Sequence, residues 1–232
     1  MKNNRVVVVS GATDIIRSPT ETDATVTDVF DLTINSKINY AKKNGYDFLA
    51  LRSFGNSKKY NLSEKEIGFL RVVRCYELLE KLDYDSVIWI DADSLITNHS
   101  YTIDHFVDEQ TIFSASHDWN STSYFSTGNF VINKIEQTES FFSLYFNNMK
   151  YFENEQSQMN VFYAQPDLKK YIKILDNRFL NSAPKQLEDT IWWRDRSKIL
   201  KPWSSDCFLV HLTAISNRER IDIFNKHFKE FL

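Results

Sequence analysis

Hydrophobic positions along the chain run in blocks of two kinds. Residues 5 to 10, RVVVVS, form an unbroken β-branched run that stops at Gly11, the pattern of a strand buried on both faces of a parallel sheet. From Thr22 to Asn44 the apolar residues Val26, Val29-Phe30, Ile34, Ile38 and Tyr40-Ala41 recur at helical spacing, and Asn44-Gly45 supplies the stop. Tyr46 to Leu51 then reads as a second strand. The segment SEKE at 63–66 has the Ser-x-x-Glu form of a capping box. It opens a helix through Leu82 with the apolar stripe Phe69, Val72-Val73, Tyr76 and Leu79, and Arg71 and Arg74 fall on the opposite, solvated face. Ser86 to Ile90 is a third strand, again wholly apolar after its first residue.

Strand, helix, strand, helix, strand implies parallel pairing and an α/β fold with a central, mostly parallel sheet flanked by helices. Further on, Thr111 to Ala115 and Gly128 to Ile132 read as strands, and Glu136 to Lys150 and Glu155 to Ala164 as helices. Tyr171 to Asp176 and Cys207 to Leu212 read as strands, Ser216 to Leu232 as a closing helix, and residues 177–206 as loop. There is no internal repeat, low-complexity tract or linker, so residues 1–232 are expected to form a single domain.

Composition narrows the partners. Aromatic residues make up 15% of the chain, with 18 Phe and 11 Tyr, so the core should be rich in rings. A net charge of -3 gives no basic footprint for nucleic acid. No run approaches the roughly 18 apolar residues of a membrane span, and MKNNRVVVVSGATD lacks the long apolar core of a signal peptide. The expectation is a cytoplasmic protein. Cys75 and Cys207 form neither a disulfide framework nor a CxxC pair, which fits a reducing compartment. The sequons at Asn61, Asn98 and Asn120 are chance matches on this view.

Candidate chemistry centres on SVIWIDADSLITN, where the third strand ends on Asp91-Ala92-Asp93-Ser94. Asp and Ser in this arrangement suit an Asx turn or a helix N-cap. They also suit a divalent cation, because hard ions such as Mg2+ and Mn2+ are held by one or two carboxylates, with phosphates and water completing the shell. Spacing alone does not separate the two, since Asp83-Tyr84-Asp85 is also Asp-x-Asp. That second pair precedes the strand, at the amino end of the sheet, whereas ligands of open α/β sheets bind beyond the carboxyl ends. His211, after the apolar run of DCFLVHLT, is the best third ligand, and an imidazole beside two carboxylates tilts the ion towards manganese. A histidine there also suits a hydrogen-bonded core position. Of the others, His105 and His227 lie in helical patterns, His99 follows the turn, and His117 in SHDWN is placed to approach a site.

The ordered set of the first strand, NSKINYAKKNGYDFL, VIWIDADSLITN, FSTGNFVINK, NEQSQMNVF and DCFLVHL resembles the GT-A glycosyltransferases over nearly the whole chain. Within them it most resembles the group of fungal α-1,2-galactosyltransferases and plant xyloglucan xylosyltransferases, and more loosely the glycogenin-like enzymes. The resemblance implies a Rossmann-like GT-A domain and transfer of a sugar from a nucleotide sugar, a UDP-sugar, to a glycan or glycoprotein acceptor with retention of configuration. It implies that Asp91 and Asp93, with Ala92 between them, hold Mn2+ (or Mg2+) against the donor diphosphate, and that His211 is the remaining ligand. Ser126-Thr127-Gly128-Asn129 matches the segment over the donor sugar, with Ser126 where the family has Asn, so Ser126, Gly128 and Asn129 are expected on the donor. Glu155-Gln156 matches an acidic-Gln pair near the reacting carbon, and Arg71 or Arg74 a basic residue contacting the donor. A bare catalytic domain of this kind fits a bacterium or a large virus building glycans in its cytoplasm.

On this reading uracil and ribose lie near Ser10, Gly11, Ala12 and Thr13. No nucleophile is evident: Asp118, Glu153, Glu155 and Gln156 are neighbours, and attack from the leaving-group face needs none. Trp119, Tyr124, Trp192 and Trp193 could stack on acceptor rings or fill the core. Three rivals remain. A haloacid-dehalogenase-like phosphatase would use Asp91 as nucleophile, but Leu95 replaces the expected Thr or Val and no later Asp-Asp pair follows. A sugar-nucleotide pyrophosphorylase would want a Gly-rich loop with Arg and Lys after the first strand. A catalytically silent sugar-binding module would have little need of Asp91, Asp93 and His211 together.

Overall fold

The computed structural model describes residues 4–12, 24–52, 64–119, 123–187 and 201–232. A six-stranded sheet of order β2-β1-β3-β6-β5-β7 forms its centre. Its strands are β1 (Val6–Gly11), β2 (Asp47–Leu51), β3 (Ser86–Ile90), β5 (Phe113–His117), β6 (Phe125–Asn133) and β7 (Ile172–Leu175). β1 pairs in parallel with β2 and β3, and β5 with β7. β6 runs antiparallel to both β3 and β5, because the short connection from β5 turns the chain straight back. The α/β architecture expected from the sequence is therefore present, with one reversed strand in the middle.

The unbroken run in β1 has a direct cause. Val7 and Val9 face one core with Trp89, Phe130 and Tyr145, while Val6 and Val8 face a second with Tyr40, Ile88 and Phe208. Both faces are covered, so an alternating pattern would bury polar groups. Each fully buried side chain of this size contributes about 1.5–3 kcal/mol.

Helix α1 (Val26–Asn44) begins at Thr25, whose hydroxyl accepts from Asp28 N while the Asp28 carboxylate accepts from Thr25 N. It ends at Gly45, whose φ of 68° is the left-handed conformation a C-cap requires. Helix α2 (Glu64–Lys81) buries Phe69, Val72, Cys75 and Leu79, so Cys75 replaces Val73 in the expected stripe. Ser63 of the proposed capping box lies outside the described residues. Helices α3 (Thr138–Asn148) and α4 (Glu155–Ala164) pack Phe141, Phe142, Tyr145, Met159 and Phe162 into the same core as α2.

Three features depart from the sequence reading. The expected strand at 111–115 is displaced to Phe113–His117, and the one at 128–132 extends back to Phe125. After the short helix α5 (Pro166–Lys169), residues 177–206, read as loop, contain α6 (Asn177–Leu180) and a 3-10 turn at Lys185–Leu187. Finally, a separate two-stranded sheet joins β4 (Ser94–Ile96) to β8 (Leu209–His211) with Ser94 opposite His211. Three residues are too few for a period to show. Leu95 and Val210 of this ribbon pack with Phe224 and Phe228, which seats α7 (Asn217–His227) against it.

Asp83-Tyr84-Asp85 is a turn at the opposite edge: Asp85 Oδ2 accepts from Arg5 N at 2.8 Å, and Asp83 has φ 55°. β3 and β5 run parallel to each other, and β6 enters from the edge at which they leave. Asp91, Asp118, Gly128 and the turn after β7 therefore converge at one end of the sheet.

Candidate metal and donor site

Asp91, Asp93 and His211 lie together there, with one ligand atom from each within 4.8 Å of the others. Each is aimed by groups around it. Asp91 Oδ1 accepts from Trp89 Nε1 at 2.6 Å and from Arg71 Nη1 at 2.6 Å. Asp93 Oδ2 is 3.0 Å from Arg220 Nη2, and its Oδ1 is 3.3 Å from His211 Nε2. The ribbon continues past His211, where Leu212 N donates to Asp93 O at 3.0 Å. Strand β8 thus carries His211 to the carboxylates.

The chemistry of this donor set decides whether a metal fits. Asn181 Nδ2 donates to His117 O at 2.9 Å, which leaves Asn181 Oδ1 facing His211 Nδ1 at 2.9 Å. An acceptor at Nδ1 takes that nitrogen's hydrogen, which turns Nε2 towards Asp93 Oδ1. At 3.3 Å a cation between these two atoms, a proton or a metal ion, joins them. A carboxylate, a second carboxylate and an imidazole oriented by an amide oxygen are what a divalent ion takes up. Gly128 completes the fit: a Cβ there would stand 2.7 Å from His211 Cε1 and 3.2 Å from Asp91 Oδ2.

Beneath the carboxylates, α1 presents polar groups in place of an apolar stripe. Thr33 Oγ1 donates to Ala92 O at 2.7 Å, and Lys37 Nζ donates to Asp91 O at 2.8 Å. Lys37 is wholly buried, and burial pushes its ammonium down to about 7 against the pull of Asp93 and Asp91. The turn is further fixed by Ser94 N donating to Asp91 O at 3.1 Å, and Asp91 N to Asn129 Oδ1 at 2.9 Å.

Behind Asp91 runs a second network. The Arg71 guanidinium bridges Asp91 and Glu155, and Thr127 Oγ1 donates to the same Glu155 oxygen at 3.1 Å. Burial disfavours its charge, but the two carboxylates outweigh that and hold Arg71 above its ordinary range. Gln156 Oε1 accepts from Thr127 N at 3.1 Å, and its Nε2 donates to Asp118 Oδ2 at 3.0 Å and to Ser123 Oγ at 3.2 Å. Glu155 is nine-tenths buried because α2 has a glycine opposite it: a Cβ on Gly68 would stand 1.9 Å from Glu155 Oε2.

Several expected site residues are placed differently. Arg71 is not on a solvated face; only Arg74 is, paired with Glu77. Ser10 is buried with its hydroxyl donated to Ile90 O at 2.5 Å, and Ala12 packs with Phe30 and Ala92, so neither offers a side chain to a nucleotide. Gly11 is half-buried, against Leu51 and Trp89, and Thr13 lies outside the described residues. Asn129 is buried with both ends of its amide used, Oδ1 on Asp91 N and Nδ2 on Leu180 O, so it supports the turn from below. Ser126 is half-buried, with its Oγ accepting from Gly128 N at 3.3 Å. Glu153 is exposed. Trp119 is a core residue, donating Nε1 to Asn181 O at 2.7 Å; Tyr124 is 52% exposed; Trp192 and Trp193 lie outside the described residues.

Lys37, Arg220 and Asn181 were not anticipated. Two of them left a mark in the sequence. Lys37 interrupts the inward stripe of α1 between Phe30-Thr33 and Tyr40-Ala41, and Arg220 precedes Phe224 by one turn on the buried face of α7. Asn181, in irregular chain, left none.

The architecture is that of the GT-A fold. No family model matches the chain, and no curated protein matches it in sequence. Among solved structures it is similar to a glycosyltransferase involved in glycosylation of the major capsid of PBCV-1, with TM-score 0.64, 17% identity and coverage of 95% of this chain and 98% of that one. It is also similar to the galactosyltransferase LgtC in complex with donor and acceptor sugar analogs, at TM-score 0.56 and 16% identity, covering 97% of this chain and 94% of that one. Mouse xyloside xylosyltransferase 1 matches at TM-score 0.53 and 7% identity, over 92% and 98% of the two chains. At such identities the likeness is one of fold. Among the described residues no helix is long and apolar enough to cross a membrane.

Proposed function

We propose that the protein is a metal-dependent glycosyltransferase that moves a sugar from a nucleoside-diphosphate sugar, a UDP-sugar, to a hydroxyl of a glycan or glycoprotein, with retention at the anomeric carbon. The observation that carries this is the Asp91, Asp93 and His211 cluster at the carboxyl end of β3, with His211 Nδ1 fixed by Asn181. The three side chains would hold the ion, Mn2+ by preference or Mg2+, and no nucleic acid is involved. When bound, the ion supplies positive charge against the departing diphosphate.

The remaining steps belong to the chain. Arg71 holds Asp91 in orientation, and Gly128 leaves room for the donor phosphates at the cluster. Glu155 is occupied by Arg71 and Thr127, and Gln156 is uncharged with both ends of its amide bonded, so neither is a free nucleophile. That favours attack from the leaving-group face. The acceptor oxygen forms its bond to the anomeric carbon as the bond to phosphate breaks, the electron pair leaves with the diphosphate, and the hydroxyl proton passes to a phosphate oxygen. Gln156 and Asp118 line the approach. A phosphatase with Asp91 as nucleophile is disfavoured, because Asp91 Oδ1 already accepts from both Trp89 and Arg71.

The test is donor hydrolysis across a panel of UDP-sugars, with and without Mn2+. Metal-dependent release of UDP is expected with at least one of them, and Asp93→Asn should abolish it while leaving the melting temperature within a few degrees. No release with any UDP-sugar refutes the donor assignment.

A further inference from the structure

The buried face of α1 holds a charge that ligand binding would not by itself require. Lys37 Nζ lies 2.8 Å from Asp91 O, 3.1 Å from Ser10 Oγ and 3.1 Å from Thr33 Oγ1. Ser10 gives its own hydrogen to Ile90 O, and Thr33 gives its own to Ala92 O. Both hydroxyl oxygens therefore meet Lys37 as acceptors, as the carbonyl must. Three acceptors around one nitrogen use all three N–H bonds of an ammonium and leave no place for an amine lone pair. Asp91 and Asp93 reach Lys37 only through space.

Counting formal charges at the cluster gives three cations, Lys37, Arg71 and Arg220, against three carboxylates, Asp91, Asp93 and Glu155. The sum is zero. A divalent ion alone leaves the site at plus two, and a diphosphate alone brings it to about minus two or lower; only the pair restores balance. In a site this buried, unbalanced charge is costly.

We propose that Lys37 is a positioning residue whose charge weakens binding of the metal alone and strengthens binding of the diphosphate once the metal is present, by bringing the cluster to three cations against three carboxylates. The inference rests on the donor reading above and adds to it the residue whose charge sets that balance. Lys37 touches neither ligand; it acts through the Asp91 and Ala92 main chain and through its charge.

Replacement leaves no donor stranded. In Lys37→Met, Ser10 and Thr33 keep their carbonyl partners, and Asp91 O keeps Ser94 N at 3.1 Å. Removing one cation from a balanced buried set does leave a carboxylate uncompensated, so some loss of stability is expected. The experiment is calorimetric titration of the whole protein with Mn2+ alone, with UDP alone, and with UDP at saturating Mn2+, for wild type and Lys37→Met, beside their melting curves. Lys37→Gln, neutral but still able to donate, is the second variant should Met not fold. The expected result is opposite signs: Mn2+ alone binds about tenfold tighter and UDP with Mn2+ about tenfold weaker, in a protein still folded at the titration temperature. If both affinities move in the same direction, or neither moves, the charge-balancing role is wrong. A fall in both together with a lower melting temperature means that Lys37 only holds the fold. Wild type binding neither Mn2+ nor UDP, singly or together, overturns the donor reading itself and this inference with it.

Discussion

Gly128→Ala adds a single methyl at the point where the candidate ligands converge. The new carbon would stand 2.7 Å from His211 Cε1, 3.2 Å from His211 Nε2 and 3.2 Å from Asp91 Oδ2. Carbon–carbon contacts settle at about 3.5–4.0 Å, so the imidazole must retreat by about 1 Å. It has little freedom to do so, because Nδ1 is held by Asn181 at 2.9 Å and the His211 main chain by Ser182 O at 2.8 Å. Gly128 does not have a positive φ, so alanine is compatible with the backbone and the effect is steric alone. Overpacking of this kind costs about 1–3 kcal/mol, which lowers the melting temperature of a chain this size by roughly 2–4 °C per kcal/mol. Metal–nitrogen bonds are about 2 Å long, so a 1 Å retreat removes one ligand, and misplacement on that scale costs about 10²-fold in rate. Calorimetry with Mn2+ and a UDP-release assay read the two effects separately. Wild-type Mn2+ affinity and donor hydrolysis within a few-fold of wild type would refute the placement of the ion between Asp91, Asp93 and His211.

Two further substitutions probe the supports of the site. Asn181→Leu frees His211 Nδ1, and loss of such an orienting partner is expected to weaken Mn2+ binding about 10–100-fold; unchanged affinity on titration would mean that the amide does not set the tautomer. Gly68→Ala sets two effects of opposite sign against each other: helix propensity favours alanine by about 1 kcal/mol, but its Cβ would meet Glu155 Oε2 at 1.9 Å. Displacement of Glu155 should dominate, with a lower melting temperature and lost turnover, and a more stable, fully active variant would show that Glu155 is free to move.

The layout of the sheet was legible because burial on both faces writes a plain signal: Val6–Val9 and Val87–Ile90 admit no polar residue. The reversal of β6 was not, because strand direction is set by how the chain returns and not by the residues within the strand. Asp91 and Asp93 stood out as two carboxylates at the end of an apolar run. Arg71 was read as solvated because it flanks the α2 stripe, yet the Asp91 and Glu155 carboxylates draw it into the interior. Asn129 and Ser10 were assigned to the donor from their place in motifs, but their hydrogen-bonding groups are taken up by main-chain partners. Lys37 and Arg220 show the complementary rule: a charged residue on the inward stripe of a helix marks a buried partner, and that partner was the site.

The ribbon that pairs Ser94 with His211 ties together two distant parts of the chain, and Leu212 N closes it on Asp93 O. Neither the nucleus of a single helix nor any local hairpin can bring Asp93 and His211 within reach, so the unfolded chain presents no such cluster. Whatever binds it binds the native state alone. Native-only binding raises thermal stability by about 2.7 kcal/mol when the ligand is present at one hundred times its dissociation constant. On the proposed function, heat resistance in the presence of Mn2+ and successive nucleotide sugars would report which donor the site accepts, before any acceptor has been identified.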